Sequence, residues 1–195
     1  MVWIMIIDLS MELSENILVY PGDPKVEIKA WNTIEKDGYY MNTLFMGEHI
    51  GTHVDAPAHF IKGGKTIDEI PLDKFIGEGA VIDVSKLDRD ILPEDITEKA
   101  EIVLFYTNGP DVYLSEEGAR HLVNLGIKGV GIDRESIDGD FKSHRILLLN
   151  EILIFENITN LEMLIGKRFT FIGMPLKIKG GSGSPVRAVA IIKEK

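Results

Sequence analysis

The sequence predicts a β-rich α+β domain with mixed sheets and few helices. Three observations predict it. Short runs rich in Val, Ile and aromatic residues recur along the whole chain. Only one segment carries a full set of helix signals. Strand and helix patterns do not alternate regularly, which argues against a doubly wound parallel sheet.

In chain order, the predicted strands are 2–7, 26–31, 44–49, 80–84, 102–106, 129–132, 146–149, 152–155, 169–172 and 186–192. Each is short and bounded by Gly, Pro, Asn, Asp or charged residues, as strands are. The helix is predicted over 116–125. Ser115 can cap it, Glu116 and Glu117 suit its positive end, and Gly126 can end it. Two shorter helices are expected: one after Pro93, where Glu94 and Asp95 fill a first turn, and one over 160–165. The segment Gly180-Gly181-Ser182-Gly183-Ser184-Pro185 reads first as an ordinary turn. Its alternative is a site-lining loop, because glycine lets backbone approach a ligand closely.

Length and composition narrow the function. A chain of 195 residues suits one domain spanning 1–195. Net charge is −10 and the basic residues are scattered, so a phosphate-backbone binder is not expected. There is no cysteine, which excludes disulfides and thiolate metal sites. Any metal would need His, Asp, Glu or backbone oxygen. No apolar run approaches the roughly 18 residues of a membrane span. The opening Met1-Val2-Trp3-Ile4-Met5-Ile6-Ile7-Asp8 has no basic region and no small-residue cleavage site, so it reads as a first strand, and the cytoplasm is the expected compartment.

The chemistry concentrates in one segment, His49-Ile50-Gly51-Thr52-His53-Val54-Asp55-Ala56-Pro57-Ala58-His59. It holds three of the five histidines. On an extended path, residues two apart point the same way. His49, His53 and Asp55 can therefore project together, with His59 further along. Gly51 and Pro57 bend the path. Two imidazoles and a carboxylate make an open site for a divalent ion, which would lower the pKa of a bound water to about 7. His59 suits a proton shuttle, its ordinary pKa lying near 6.5. His121, on the predicted helix with no partner at ligand spacing, reads as a surface residue. His144 and Glu156 stand at the edges of apolar runs, where each is either a solvated strand end or an inward-pointing ligand.

These residues resemble the signature of the cyclase-like metal hydrolases, the family of bacterial kynurenine formamidase and isatin hydrolase. The motif is His49-x-Gly51-Thr52-His53-x-Asp55-x-Pro57-x-His59. Further segments resemble the family in its own order. They are Tyr20-Pro21-Gly22-Asp23-Pro24, Gly131-Ile132-Asp133-x-x-Ser136-Ile137-Asp138, His144 followed by Glu156-Asn157-Ile158-Thr159-Asn160-Leu161, Pro175-Leu176-Lys177-Ile178, and Gly183-Ser184-Pro185-Val186-Arg187. The resemblance implies a swivelling β/β/α fold. It implies that His49, His53 and Asp55 hold one divalent metal, and that Asp55, His144 and Glu156 hold a second in two-metal members. Zinc is the first expectation and manganese the second, with one or two ions per subunit. His59 would be the general acid/base. Tyr20 stands where kynurenine formamidases have a substrate-contacting Trp. It keeps an aromatic face but differs in size and adds a hydroxyl. A homodimer or homotetramer is also implied.

The function expected is hydrolysis of a small amide or similar carbonyl compound, an aryl formamide first, by metal-hydroxide attack. Two alternatives stand beside it: another cyclic amide or imide hydrolase or a cyclase on the same scaffold, and a metal- or ligand-binding domain without chemistry. A Ser-His-Asp hydrolase is not expected, since no Gly-x-Ser-x-Gly elbow occurs.

Overall fold

The computed structural model describes residues 3–109 and 111–194; Val2, at the start of the first predicted strand, lies outside them. In chain order the strands are β1 (Trp3–Asp8), β2 (Glu27–Asn32), β3 (Met41–Phe45), β4 (His53–Asp55), β5 (Ile76–Asp83), β6 (Ile102–Tyr106), β7 (Gly129–Ile132), β8 (Leu153–Glu156), β9 (Phe169–Ile172), β10 (Gly183–Pro185) and β11 (Val189–Glu194). Three α-helices occur among the described residues: α1 (Ile34–Asp37), α2 (Glu116–Leu125) and α3 (Lys142–Leu149). The fold is the β-rich α+β type. No helix among the described residues is long and apolar enough to cross a membrane.

Nine strands form one mixed sheet in the order β1-β11-β9-β5-β6-β7-β8-β4-β10. The central run β5-β6-β7-β8 is parallel and the flanking pairs are antiparallel. The central strands are buried on both faces, which is why they read as continuous apolar runs. Side-chain alternation divides them between two cores. Val81, Ile102, Leu104, Leu153 and Phe155 join one core with Phe169 and Phe171. Ala80, Ile82, Val103, Phe105 and Ile154 join the other, beneath Ala119 and Leu122 of α2 and Leu147 and Leu148 of α3. Each buried Val, Leu, Ile or Phe among them contributes about 1.5–3 kcal/mol relative to exposure.

The helix α2 forms where the sequence places it. Ser115 Oγ accepts from the Gly118 amide at 3.0 Å, and Gly126 ends it in the left-handed conformation. The turns after Pro93 and Asn160 are 3₁₀ turns, Pro93–Asp95 and Leu161–Leu164.

Two predicted strands and the extended reading of the histidine segment need correction. The run 146–149 is helical and belongs to α3. Four consecutive apolar residues have no period that separates a buried strand from a buried helix turn. The strand predicted over 44–49 ends at Phe45. The histidine segment is not one strand either: only His53–Asp55 is extended in the sheet, and Pro57–His59 is a 3₁₀ turn.

The pair β2-β3 forms a separate two-stranded sheet. Neither strand contains a buried residue. Together with the α1 segment between them they expose Trp31, Ile34, Tyr39, Tyr40, Leu44 and Phe45.

Candidate metal centre and active site

Strand register builds the floor of the site. In the antiparallel pair β4-β8, His53 stands opposite Glu156. On the other side of β4, Gly183 of β10 stands opposite Asp55. Because His53 and Asp55 are two residues apart on one strand, both turn to the same face. The helix α3 brings His144 onto that face. His53, Asp55, His144 and Glu156 are all buried, between 1 and 4% exposed.

Their ring nitrogens are fixed from behind. His53 Nδ1 donates to the Gly51 carbonyl at 2.8 Å. His144 Nδ1 donates to Asp138 Oδ1 at 2.7 Å. Each imidazole therefore presents Nε2 to the carboxylates. His53 Nε2 lies 3.4 Å from Asp55 Oδ1 and 3.3 Å from Glu156 Oε2. His144 Nε2 lies 3.2 Å from Glu156 Oε1 and 3.6 Å from Asp55 Oδ2. A neutral imidazole with its proton on Nδ1 has only a lone pair at Nε2. Lone pairs facing carboxylate oxygens require a proton or a cation between them.

The protonation balance has the same cause. Burial opposes charge on His53, but hydrogen bonds and charge from Asp55 and Glu156 outweigh it and raise its pKa to about 10. For His144, burial is likewise outweighed by Asp138 and Glu156, and its pKa also rises to about 10. Burial pushes the Asp55 carboxyl up, and His49 and His53 more than offset this, holding it well below the carboxylate range. Glu156 is lowered in the same way by His144 and His53.

The donor set fits a divalent ion. Two buried carboxylates have only imidazoles as ion-pair partners among the described residues. Buried charge of this kind is costly unless matched by opposite charge. His53, Asp55 and Glu156 offer ligand atoms within 4.8 Å of one another, and so do His49, Asp55 and His59. Asp55 is common to both groups.

His49 reaches the site by a turn at Gly51, which sits at φ +58, a conformation glycine adopts readily. Its Nδ1 lies 2.7 Å from Asp55 Oδ1, and its Nε2 lies 2.8 Å from Ser182 Oγ. The Ser182 hydroxyl in turn donates to Glu48 Oε2 at 2.9 Å. His59 stacks on His49 with ring centroids 3.8 Å apart. The surrounding protein lowers the pKa of His59, mainly by desolvation, which keeps the ring neutral near pH 7.

His49, His53, His59, His144 and Glu156 line a cavity of about 200 Å³, shared with Tyr20, Asp23, Phe60, Glu135, Ser136 and Phe141. Phe60 packs between His59 and Phe141, at 4.4 and 5.2 Å. A larger cleft, of about 650 Å³, lies elsewhere against β5 and β9. Two of its cations are held in ion pairs, Lys128 with Glu101 and Arg168 with Glu78, and it contains no histidine.

The structure thus brings together all the residues singled out from sequence: His49, His53, Asp55, His59, His144, Glu156 and Tyr20. Asp23 also lines the cavity. Asp133 does not: it accepts from the Thr107 and Asn108 amides. Arg187 pairs with Asp8 on the surface. The Gly180–Pro185 segment follows the site-lining alternative. A Cβ on Gly183 would meet His49 Cε1 at 2.5 Å and the Val54 carbonyl at 2.7 Å. Sequence reading missed Asp138, Ser182, Phe60 and Phe141. Of these, Asp138 had a signal, an aspartate six residues before His144 at the close of a quoted family segment.

Known proteins resemble this chain over most of its length. The family described as "Putative cyclase" matches residues 7–139. A kynurenine formamidase of Salinibacter ruber is 34% identical over 204 residues, covering 94% of this chain and 96% of its own. Isatin hydrolase A from Labrenzia aggregata, solved with benzyl benzoate, superposes with a TM-score of 0.87 at 26% identity, covering 98% of this chain and 94% of its own. A solved structure described as a potential metal-dependent hydrolase with cyclase activity gives 0.84 at 26% identity, covering 99% of this chain and all of its own.

Proposed function

The chain belongs to the cyclase family, and from that premise we propose that it is a metal-dependent hydrolase of small amides, with aryl formamides as the first substrate class. The observation that carries this reading is the convergence of His53, His144, Asp55 and Glu156 at the floor of a cavity whose wall includes His59. The kynurenine formamidase relative supports the substrate class.

His53, Asp55, His144 and Glu156 would hold the metal, with His49 beside Asp55. Nitrogen and oxygen donors without thiolate suit zinc first and manganese second. Asp55, which reaches His49, His53 and His144, allows one ion or two. A bound ion supplies an acidified water and polarises a carbonyl oxygen.

The chain's own residues do the rest. The 3.8 Å stack on His49 holds the His59 ring against the cavity. Neutral near pH 7, His59 takes the proton of the attacking water and returns it to the leaving nitrogen. The carbon–nitrogen bond breaks, giving formate and an arylamine. Tyr20, Phe60 and Phe141 supply apolar surface for an aromatic ring and exclude water.

The test is formate release from N-formylkynurenine by zinc-loaded protein. Release well above that of His59→Ala supports the reading. Release no greater than that of the metal-stripped protein rejects the formamidase. A second reading, opening of a cyclic amide such as isatin, is favoured by the isatin hydrolase likeness. Ring opening by the same sample, without formate release, would select it.

A further inference from the structure

We infer that Asp138 is a positioning residue that sets two walls of the site at once, the metal-facing edge of His144 and the ring of Phe141. This rests on the metal site proposed above. Asp138 is 3% exposed. Its Oδ1 accepts from His144 Nδ1 at 2.7 Å and from the Phe141 amide at 3.1 Å, and its Oδ2 accepts from the His144 amide at 3.0 Å.

Three N–H groups thus converge on one carboxylate, each with a consequence. The bond to Nδ1 fixes the tautomer and turns Nε2 toward Asp55 and Glu156. The bond to the His144 amide satisfies a donor in the first turn of α3, which has no intrahelical partner. Phe141, immediately before α3, caps nothing with its own side chain and sits at φ +62, ψ +15. That left-handed conformation is unfavourable for a side chain with a Cβ, so neighbouring bonds must hold it. Held there, the ring lies 5.2 Å from Phe60 and 5.9 Å from His144, on the cavity wall.

An asparagine cannot replace this carboxylate. With its oxygen toward Nδ1, its NH₂ would face the His144 amide, donor against donor. Ser143 provides a control. It is buried in the same turn, and its hydroxyl donates to the Leu114 carbonyl at 2.8 Å, away from the ligands.

The experiment measures Zn²⁺ affinity of stripped protein by competition with a chelating indicator. The variants are Asp138→Asn, Ser143→Ala and Glu156→Gln. Asp138→Asn is expected to lose about 10–100-fold in affinity, Ser143→Ala to stay near wild type, and Glu156→Gln to lose at least as much as Asp138→Asn. Equal losses in Asp138→Asn and Ser143→Ala would mean a general loosening of the turn and overturn the inference. Wild-type affinity in Asp138→Asn with a loss in Glu156→Gln would overturn it alone. Wild-type affinity in Glu156→Gln would overturn the metal site and this inference together. Nitrogen-15 imidazole spectra of zinc-loaded wild type give a readout independent of variant folding. The inference requires a protonated Nδ1 and a zinc-bound Nε2 at His144, and the opposite assignment overturns it.

Discussion

His53 and Glu156 face each other across the β4-β8 ladder, with His53 Nε2 3.3 Å from Glu156 Oε2 and the other ring nitrogen bound to the Gly51 carbonyl. His144 repeats the arrangement from α3, with Asp138 behind it. Two imidazole lone pairs and two carboxylates therefore share one buried space. Either protons or a metal ion must reconcile them, and the consequences are measurable.

Stripped of metal, the protein should lose stability as pH rises. The folded pKa of His53 and of His144 is about 10, above the ordinary value of 6.5. A raised folded pKa contributes stability that is complete below about pH 6.5 and lost as pH climbs through about 10. Asp55 and Glu156, held low, act the other way: their contribution is present above the ordinary carboxylate range and lost on acidification. Denaturant midpoints of stripped protein should fall from pH 7 to 10. The increment added by zinc should grow over the same range, because protons compete with the metal for the imidazoles. Midpoints that rise with pH in the stripped protein would refute the protonation balance.

Replacing His59 should separate chemistry from metal binding. His59→Ala is expected to lower kcat by about 10²–10⁴-fold, the usual worth of a positioned general acid/base. Zinc content should stay at the wild-type level. An unchanged kcat would place the proton transfer elsewhere.

The glycine opposite Asp55 should be irreplaceable. In Gly183→Ala the new Cβ meets His49 Cε1 at 2.5 Å and the Val54 carbonyl at 2.7 Å. The backbone carbonyl cannot give way as a flexible side chain would. Thermal unfolding should show a loss of about 1–3 kcal/mol, with lower activity as His49 is displaced. Wild-type stability and activity would contradict the tight packing of β10 on the site.

Self-association should depend on the β2-β3 hairpin. A two-stranded hairpin is marginal alone, yet this one exposes Trp31, Leu44 and Phe45 at 60–68%. A second copy of the chain would cover them. Sedimentation should find wild type as a dimer or tetramer and the Trp31→Asp, Phe45→Asp double variant shifted toward monomer. An unchanged distribution would exclude this surface.

Much of the fold was legible because its signals are local. Ser115 and Gly126 mark the ends of α2, and the apolar runs of β6 and β7 fill strands buried on both faces. The run 146–149 was not legible as a helix turn, because its register shows only through Ser143 and His144, which share burial with Leu147 and Leu148. In the site, His53 and Asp55 follow from parity along one strand. His144 and Glu156 were open by spacing and became expected ligands only through family resemblance. Their meeting depends on the register of β8 against β4 and on Asp138, which local sequence does not encode. Ser182 contacts His49 from 133 residues away, so nothing near either residue announces the pair.

The most direct measurement is bound metal per chain, by elemental analysis, for wild type and Asp55→Ala purified alike. Asp55 touches His49 and lies within 3.4–3.6 Å of His53 and His144. Wild type should carry one or two equivalents of zinc or manganese, and Asp55→Ala should carry at least about 10-fold less, no milder than the loss of an outer partner. Near-complete metal retention in Asp55→Ala would contradict the metal centre on which the function is built.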